Sequence, residues 1–160
     1  MNSCKALQLG LDMAEMISLA YINDLTDEQL MLRPCSGTNH IKWQIGHLIA
    51  SEHSMIEGIK AGTMPPLPDG FAARYEKATA ESDDASAFDS KEVLLATYQA
   101  QRAATIALLN EQNDEDLDRA TGVDYAPTVG NMFSLQGSHW LMHAGQWVIV
   151  RRQLGLPALF

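Results

Sequence analysis

Apolar residues recur at helical spacing in four stretches of this chain, and little else in it carries a period. The first, roughly Lys5 to Tyr21, sets Leu9, Met13, Met16, Ile17 and Ala20 on one side of a helix and Asp12 and Glu15 on the other. Its Met-rich side is the expected packing or dimer surface. A connector, LTDEQLMLRPCSGTN, follows; Thr26 with Glu28 or Gln29 starts a short helical turn and Pro34 stops it. Asn39 is placed to cap a second helix, His40 to about Ala61, which Gly62 and the Pro-rich run at 65–68 end.

The stretch from there to Ser90, rich in Ala, Ser and Asp, reads as a long connection. Its length lets the chain cross a bundle, so helices two and three need not be antiparallel neighbours. Ser90 caps the third helix, with Glu92 in its first turn, and the pattern runs to about Asn110 before the acidic loop 113–130. The last helix spans about Asn131 to Leu154. Arg151 and Arg152 occupy its final turn, Gly155 its C′ position, and Pro157 lies just beyond. The pattern predicts an all-α chain: one four-helix-bundle domain over residues 1–160 with long connecting loops.

A chain of 160 residues is long enough to bury roughly two-thirds of its unfolded surface, so neither metal nor disulfide is needed merely to fold it. Its net charge of −9 leaves no basic stripe, and the only adjacent cationic pair is Arg151 with Arg152. Nucleic acid and anionic membrane are therefore not expected partners. Cys4 and Cys35 lack metal-ligand spacing, and Cys35 lies in a Pro/Ser/Gly loop without an activating neighbour. Acidic residues interrupt the opening MNSCKALQLGLDMAEM where a signal peptide stays apolar, so a cytoplasmic protein with reduced thiols is expected. The uncharged run from Asn131 to Val150 holds two His and two Gln and reads as a buried helix, not a membrane span.

That last helix carries the candidate chemistry. At about 100° per residue, Met132, Leu135, Gln136, His139, His143, Gln146, Val150 and Leu154 share one stripe. Buried polar groups without partners cost about 1–3 kcal/mol each, so this face demands a hydrogen-bond network, trapped water, a ligand or a metal. His139 and His143, one turn apart, are placed to point at one ion. The alternative is a pair of core histidines satisfied by Gln136, Gln146 or a carboxylate.

On the second helix Ile41, Ile45, Leu48, Met55 and Ile59 define the apolar stripe, with Glu52 near its centre and His47 to one side, beside Trp43, Gly46 and Ala50. Periodicity leaves Glu52 and His47 as competing ligands. Glu52 is also a candidate acceptor for a ligand imidazole, a candidate general base, or simply a partner for Arg102. His40 and His53 read as surface or helix-end residues. Three imidazoles suit zinc, nickel or a similar ion, and three protein ligands leave a position for water or substrate.

The segments NHIKWQIGHLIASE (39–52) and SHWLMHAGQWVIVRRQLGLP (138–157) resemble the two signature segments of the DinB/YfiT-like family. The LTDEQL…RP connector and the PPLPDGF stretch also follow that family's pattern. The resemblance implies a four-helix bundle, a homodimer, and one divalent metal per chain held by His47, His139 and His143, with zinc or nickel foremost and manganese or iron also open. Ala144 stands where many members carry Arg. By the same resemblance, the implied activity is transfer or isomerisation with a low-molecular-weight thiol such as bacillithiol, mycothiol or glutathione. The expected function is thus a metal-dependent thiol S-transferase acting on an electrophilic substrate. The alternatives are a metal-dependent hydrolase with Glu52 as base and a non-enzymatic metal-binding stress-response module.

Overall fold

The computed structural model describes residues 1–160. The chain forms α1 (Ser3–Ile22), α2 (Ile41–Glu57), α3 (Phe71–Arg74), α4 (Lys91–Asn110), α5 (Asp114–Asp118) and α6 (Val129–Gln153). Single 3-10 turns lie at Gln29–Met31, Lys77–Thr79 and Ala85–Ala87. There is no strand; Ala120 and Thr128 form one isolated bridge. No helix is long and apolar enough to cross a membrane.

The four long helices pack in the ring α1, α6, α2, α4. Contacts at the two ends of each pair fix its direction. Gly137 faces Ala14, and Arg151 donates to the Tyr21 carbonyl, so α1 and α6 run parallel. Gln44 meets His143 while Met55 meets Gln136, so α2 and α6 are antiparallel. Glu52 pairs with Arg102 and Lys60 with Glu111, so α2 and α4 are parallel. Joining two parallel helices requires the chain to travel back along the bundle, which residues 58–90 do, laying α3 over α2.

Several ends follow the sequence signals. The Ser90 side chain accepts from the Val93 N–H. After α6, the Leu156 N–H reaches the Arg151 carbonyl and the Gly155 N–H the Arg152 carbonyl, with Gly155 at φ 70°, a left-handed residue that only glycine adopts without strain. Others differ. His40, not Asn39, caps α2, its Nδ1 accepting from the Trp43 N–H at 2.9 Å. α2 stops at Glu57 because that carboxylate accepts from the Gly62 and Met64 N–H groups and folds the chain back. Thr128 and Asn131 form a capping box that starts α6 at Val129, and Asn113 with Asp116 forms another that turns part of the acidic loop into α5.

The buried faces of α1 and α6 are rotated from the expected ones. α1 buries Cys4, Leu11, Ala14, Ser18 and Ile22, whereas Leu9, Met13 and Met16 remain about half exposed. The cause is close approach to α6: a Cβ at Gly137 would stand 3.3 Å from the Ala14 Cβ and 3.4 Å from the Gly10 carbonyl oxygen. Only the small side of α1 fits there. In α6 the core line runs through Phe133, Trp140 and Trp147, and Tyr98 packs at a tilt against Trp140, 4.3 Å between ring centres. Large rings bury more apolar area than any alternative face, so they take the centre. Met132, Gln136 and Val150 are buried as expected, but Leu135, His139, His143, Gln146 and Leu154 lie half-buried at the edge of the core.

Candidate metal centre

The rotation of α6 carries His139 and His143 to the seam with α2, where His47 meets them. Each of the three is half-buried, and their candidate ligand nitrogens all lie within 4.8 Å of one another. The ring centres are 5.0 Å apart for His139 and His143, 5.5 Å for His47 and His139, and 5.9 Å for His47 and His143. Four-residue spacing aligns the two rings on α6, and the antiparallel α2 supplies the third from across the seam.

Neighbours outside the cluster fix two of the rings. His47 stacks flat on Trp43, one turn earlier, at 4.9 Å and 6° between planes, and the Tyr75 ring packs against α2 at the neighbouring Gly46. Tyr75 owes its place to Gly46: a Cβ there would stand 2.2 Å from a Tyr75 ring carbon. The Tyr75 hydroxyl in turn donates to the Asp89 carboxylate and accepts from the Asp89 N–H. His143 is held by Gln44, whose Oε1 lies 2.9 Å from its Nδ1 and also accepts from the Trp147 indole N–H at 2.9 Å.

Burial dominates the electrostatics. It pulls His139 and His143 down to about 4, with repulsion from neighbouring imidazoles adding to the effect, and lowers His47 as well. At neutral pH all three are uncharged and offer lone pairs. That is the state in which imidazole ligates a cation.

Glu52 is not in this group. Its carboxylate accepts from Arg102 at 2.8 Å and from the Thr105 hydroxyl at 2.7 Å, in an ion pair buried between α2 and α4. Both oxygens are engaged on the side of α2 facing α4, so the arrangement matches the Arg102 partnership rather than ligation or base catalysis. His40 stands at the end of α2 as expected, but it is fully buried there rather than at the surface, and burial lowers it to about 4. His53 shares a hydrogen bond with Gln101. Cys35 is an exposed loop thiol, and Cys4 is buried. Sequence periodicity passed over Gln44 because a lone amide between Trp43 and Ile45 carries no signal until its partners on α6 are known.

A model of the DinB superfamily matches residues 11–147, a span that includes all three histidines. The chain belongs to the DinB superfamily. The crystal structure of a conserved protein from Enterococcus faecalis is similar, with a TM-score of 0.73 and 17% identity over 97% of this chain and 99% of that one. At that identity the likeness shows a shared fold. No curated protein matches the chain by sequence.

Within this DinB-superfamily bundle the α2/α6 seam also forms a cleft of about 310 Å³, lined by Met55, Ile59, Val129 and Met132 with Arg119 and Tyr125. Met132 is seven residues from His139, which places the cleft about 10 Å along the helix from the imidazoles.

Replacing Glu52 tests the division between ion pair and metal centre. Glu52→Ala leaves Arg102 without its partner and is expected to cost about 3–5 kcal/mol in urea unfolding, while the folded protein binds zinc as tightly as wild type. Loss of zinc affinity in the folded variant would place Glu52 in the metal centre.

Proposed function

We propose that His47, His139 and His143 hold one divalent cation per chain and that this DinB-superfamily protein is a metal-dependent enzyme of the low-molecular-weight-thiol S-transferase type. The observation that carries the reading is a half-buried cluster of three uncharged imidazoles joined by no carboxylate or thiolate of the chain. Such a donor set fits zinc or nickel, with manganese or iron as weaker matches, and leaves a coordination position for an exogenous atom. A cation bound there supplies Lewis acidity, lowering the pKa of whatever thiol or water it holds.

The absence of a free carboxylate favours thiol over water. A thiol ionises near pH 8.5 unaided and needs only a modest downward shift to become a nucleophile at neutral pH. Hydrolysis by the expected route used Glu52 as base, and that carboxylate is committed to Arg102 and Thr105. The chain's own contribution is positional: Trp43 stacks on His47, Gln44, itself bonded by Trp147, holds His143, and the seam shields one side of the site from water. The electrophilic substrate would approach from the open edge of the seam.

Protein prepared without chelator, or loaded with zinc or nickel, is expected to carry one ion per chain, and His143→Ala to lose most of it. Cobalt-substituted protein should change its visible spectrum when a small thiol is added, and the loaded protein should accelerate conjugation of that thiol to a model electrophile while His143→Ala does not. A loaded protein with no spectral response to thiol and no conjugation would leave a passive metal-binding module in place of the enzyme.

We further infer that the protein pairs with a second copy. Support comes from exposed apolar side chains on outer helix faces: Leu9, Met13 and Met16 on α1, and Leu141, Met142 and Ile149 around the open Gly145 on α6. The three tryptophans do not contribute, being buried in the core. Light scattering is expected to give twice the 17.6 kDa chain mass. A monomer at high concentration would remove the dimer and leave the metal centre untouched.

A further inference from the structure

Gln44 uses every hydrogen-bonding site that a primary amide has. Its Nε2 donates to the Asn39 carbonyl at 2.7 Å and to the Gln146 Oε1 at 3.1 Å; its Oε1 faces the Trp147 Nε1 and the His143 Nδ1, each at 2.9 Å. Two of these partners settle which way the amide points. A backbone carbonyl only accepts, so the atom facing Asn39 is the NH2 group, and an indole N–H only donates, so the atom facing Trp147 is the oxygen. The residue is 1% exposed, which leaves no water to substitute for a lost partner.

Because an amide oxygen cannot donate, the His143 nitrogen beside it must carry the proton. The neutral ring is thereby fixed as the Nδ1–H form, and its lone pair sits on Nε2. Free imidazole side chains in water favour the opposite form, with the proton on Nε2, where it would block a cation. We propose that Gln44 is a positioning residue that selects the Nδ1–H tautomer of His143 and so prepares Nε2 of that ring for a divalent cation. The choice of Gln rather than Glu also follows: a carboxylate would accept from His143 and Trp147 equally well, but it would set an anionic oxygen against the Asn39 carbonyl.

The proposal rests on the metal reading above only for its effect on affinity; the tautomer itself is a property of the metal-free protein. Long-range proton–nitrogen NMR on 15N-histidine-labelled, metal-free protein at neutral pH reads it directly. Wild type is expected to show His143 with Nδ1 protonated and Nε2 bare. Gln44→Met, similar in size but with only a weakly accepting thioether in place of the amide oxygen, should return His143 to the ordinary preference for Nε2–H and weaken zinc binding about 10–100-fold. Gln44→Glu keeps the acceptor and loses the donors, so it should melt at a lower temperature yet retain the Nδ1–H form and hold zinc within about threefold of wild type. That pair of outcomes separates positioning from simple support of the fold, which would make affinity follow melting temperature in both variants. The proposal is overturned if wild-type His143 carries its proton on Nε2, or if Gln44→Met shifts the tautomer without loss of zinc affinity. If Gln44→Met does not fold, a Gln44→Glu protein that has lost the Nδ1–H form overturns it equally. Wild type that shows the Nδ1–H form but binds no zinc refutes the metal reading and leaves the tautomer assignment standing.

Discussion

Three imidazoles gathered at one point of a helix seam can stay there only if they are uncharged, and that constraint organises the structure around them. Protonation would place like charges whose ring centres are within 6 Å in a half-desolvated site, and the low pKa of His139 and His143 expresses that cost. A neutral ring still has one N–H to satisfy and one lone pair to offer, and at His143 the protein supplies the acceptor. Gln44 Oε1 lies 2.9 Å from its Nδ1. The ring's lone pair lies in a group of three uncharged imidazoles whose candidate ligand nitrogens are all within 4.8 Å of one another, which is the condition a cation meets.

The rest of the bundle keeps the seam in register. α6 is clamped to α1 by the glycine-mediated approach at Gly137, and α2 to α4 by the buried Glu52–Arg102 pair, so the two helices that carry the histidines are each held from behind. Arg151, bonded to Asp24 and the Tyr21 carbonyl, fixes the far end of α6. The crossover 58–90 does more than join parallel helices: it brings the Tyr75 ring against Gly46, the residue before His47. Connection length and helix direction are thus consequences of one another.

Much of this was legible in the sequence because it depends on local chemistry. Ser90 and Gly155 mark helix ends through their own backbone preferences, and a four-residue spacing of histidines aligns them on any helix. The family resemblance added His47, which periodicity alone could not choose over Glu52. The face that α1 or α6 presents to the core was not legible, because it is decided between helices: Met13 and Met16 are more apolar than Ala14 and Ser18, yet the small residues win where backbones must approach closely. The same holds for Glu52, whose role was set by Arg102 fifty positions away, and for Gln44, whose partners lie about a hundred positions on.

The central claim is that these three imidazoles converge on one cation and leave part of its coordination open. X-ray absorption on the zinc-loaded protein measures this most directly. The expected result is scattering from three imidazole rings together with at least one light atom that is not from the protein, replaced by a sulfur at about 2.3 Å when a small thiol is added. A zinc ion surrounded by four protein ligands, or by fewer than three imidazoles, would contradict it.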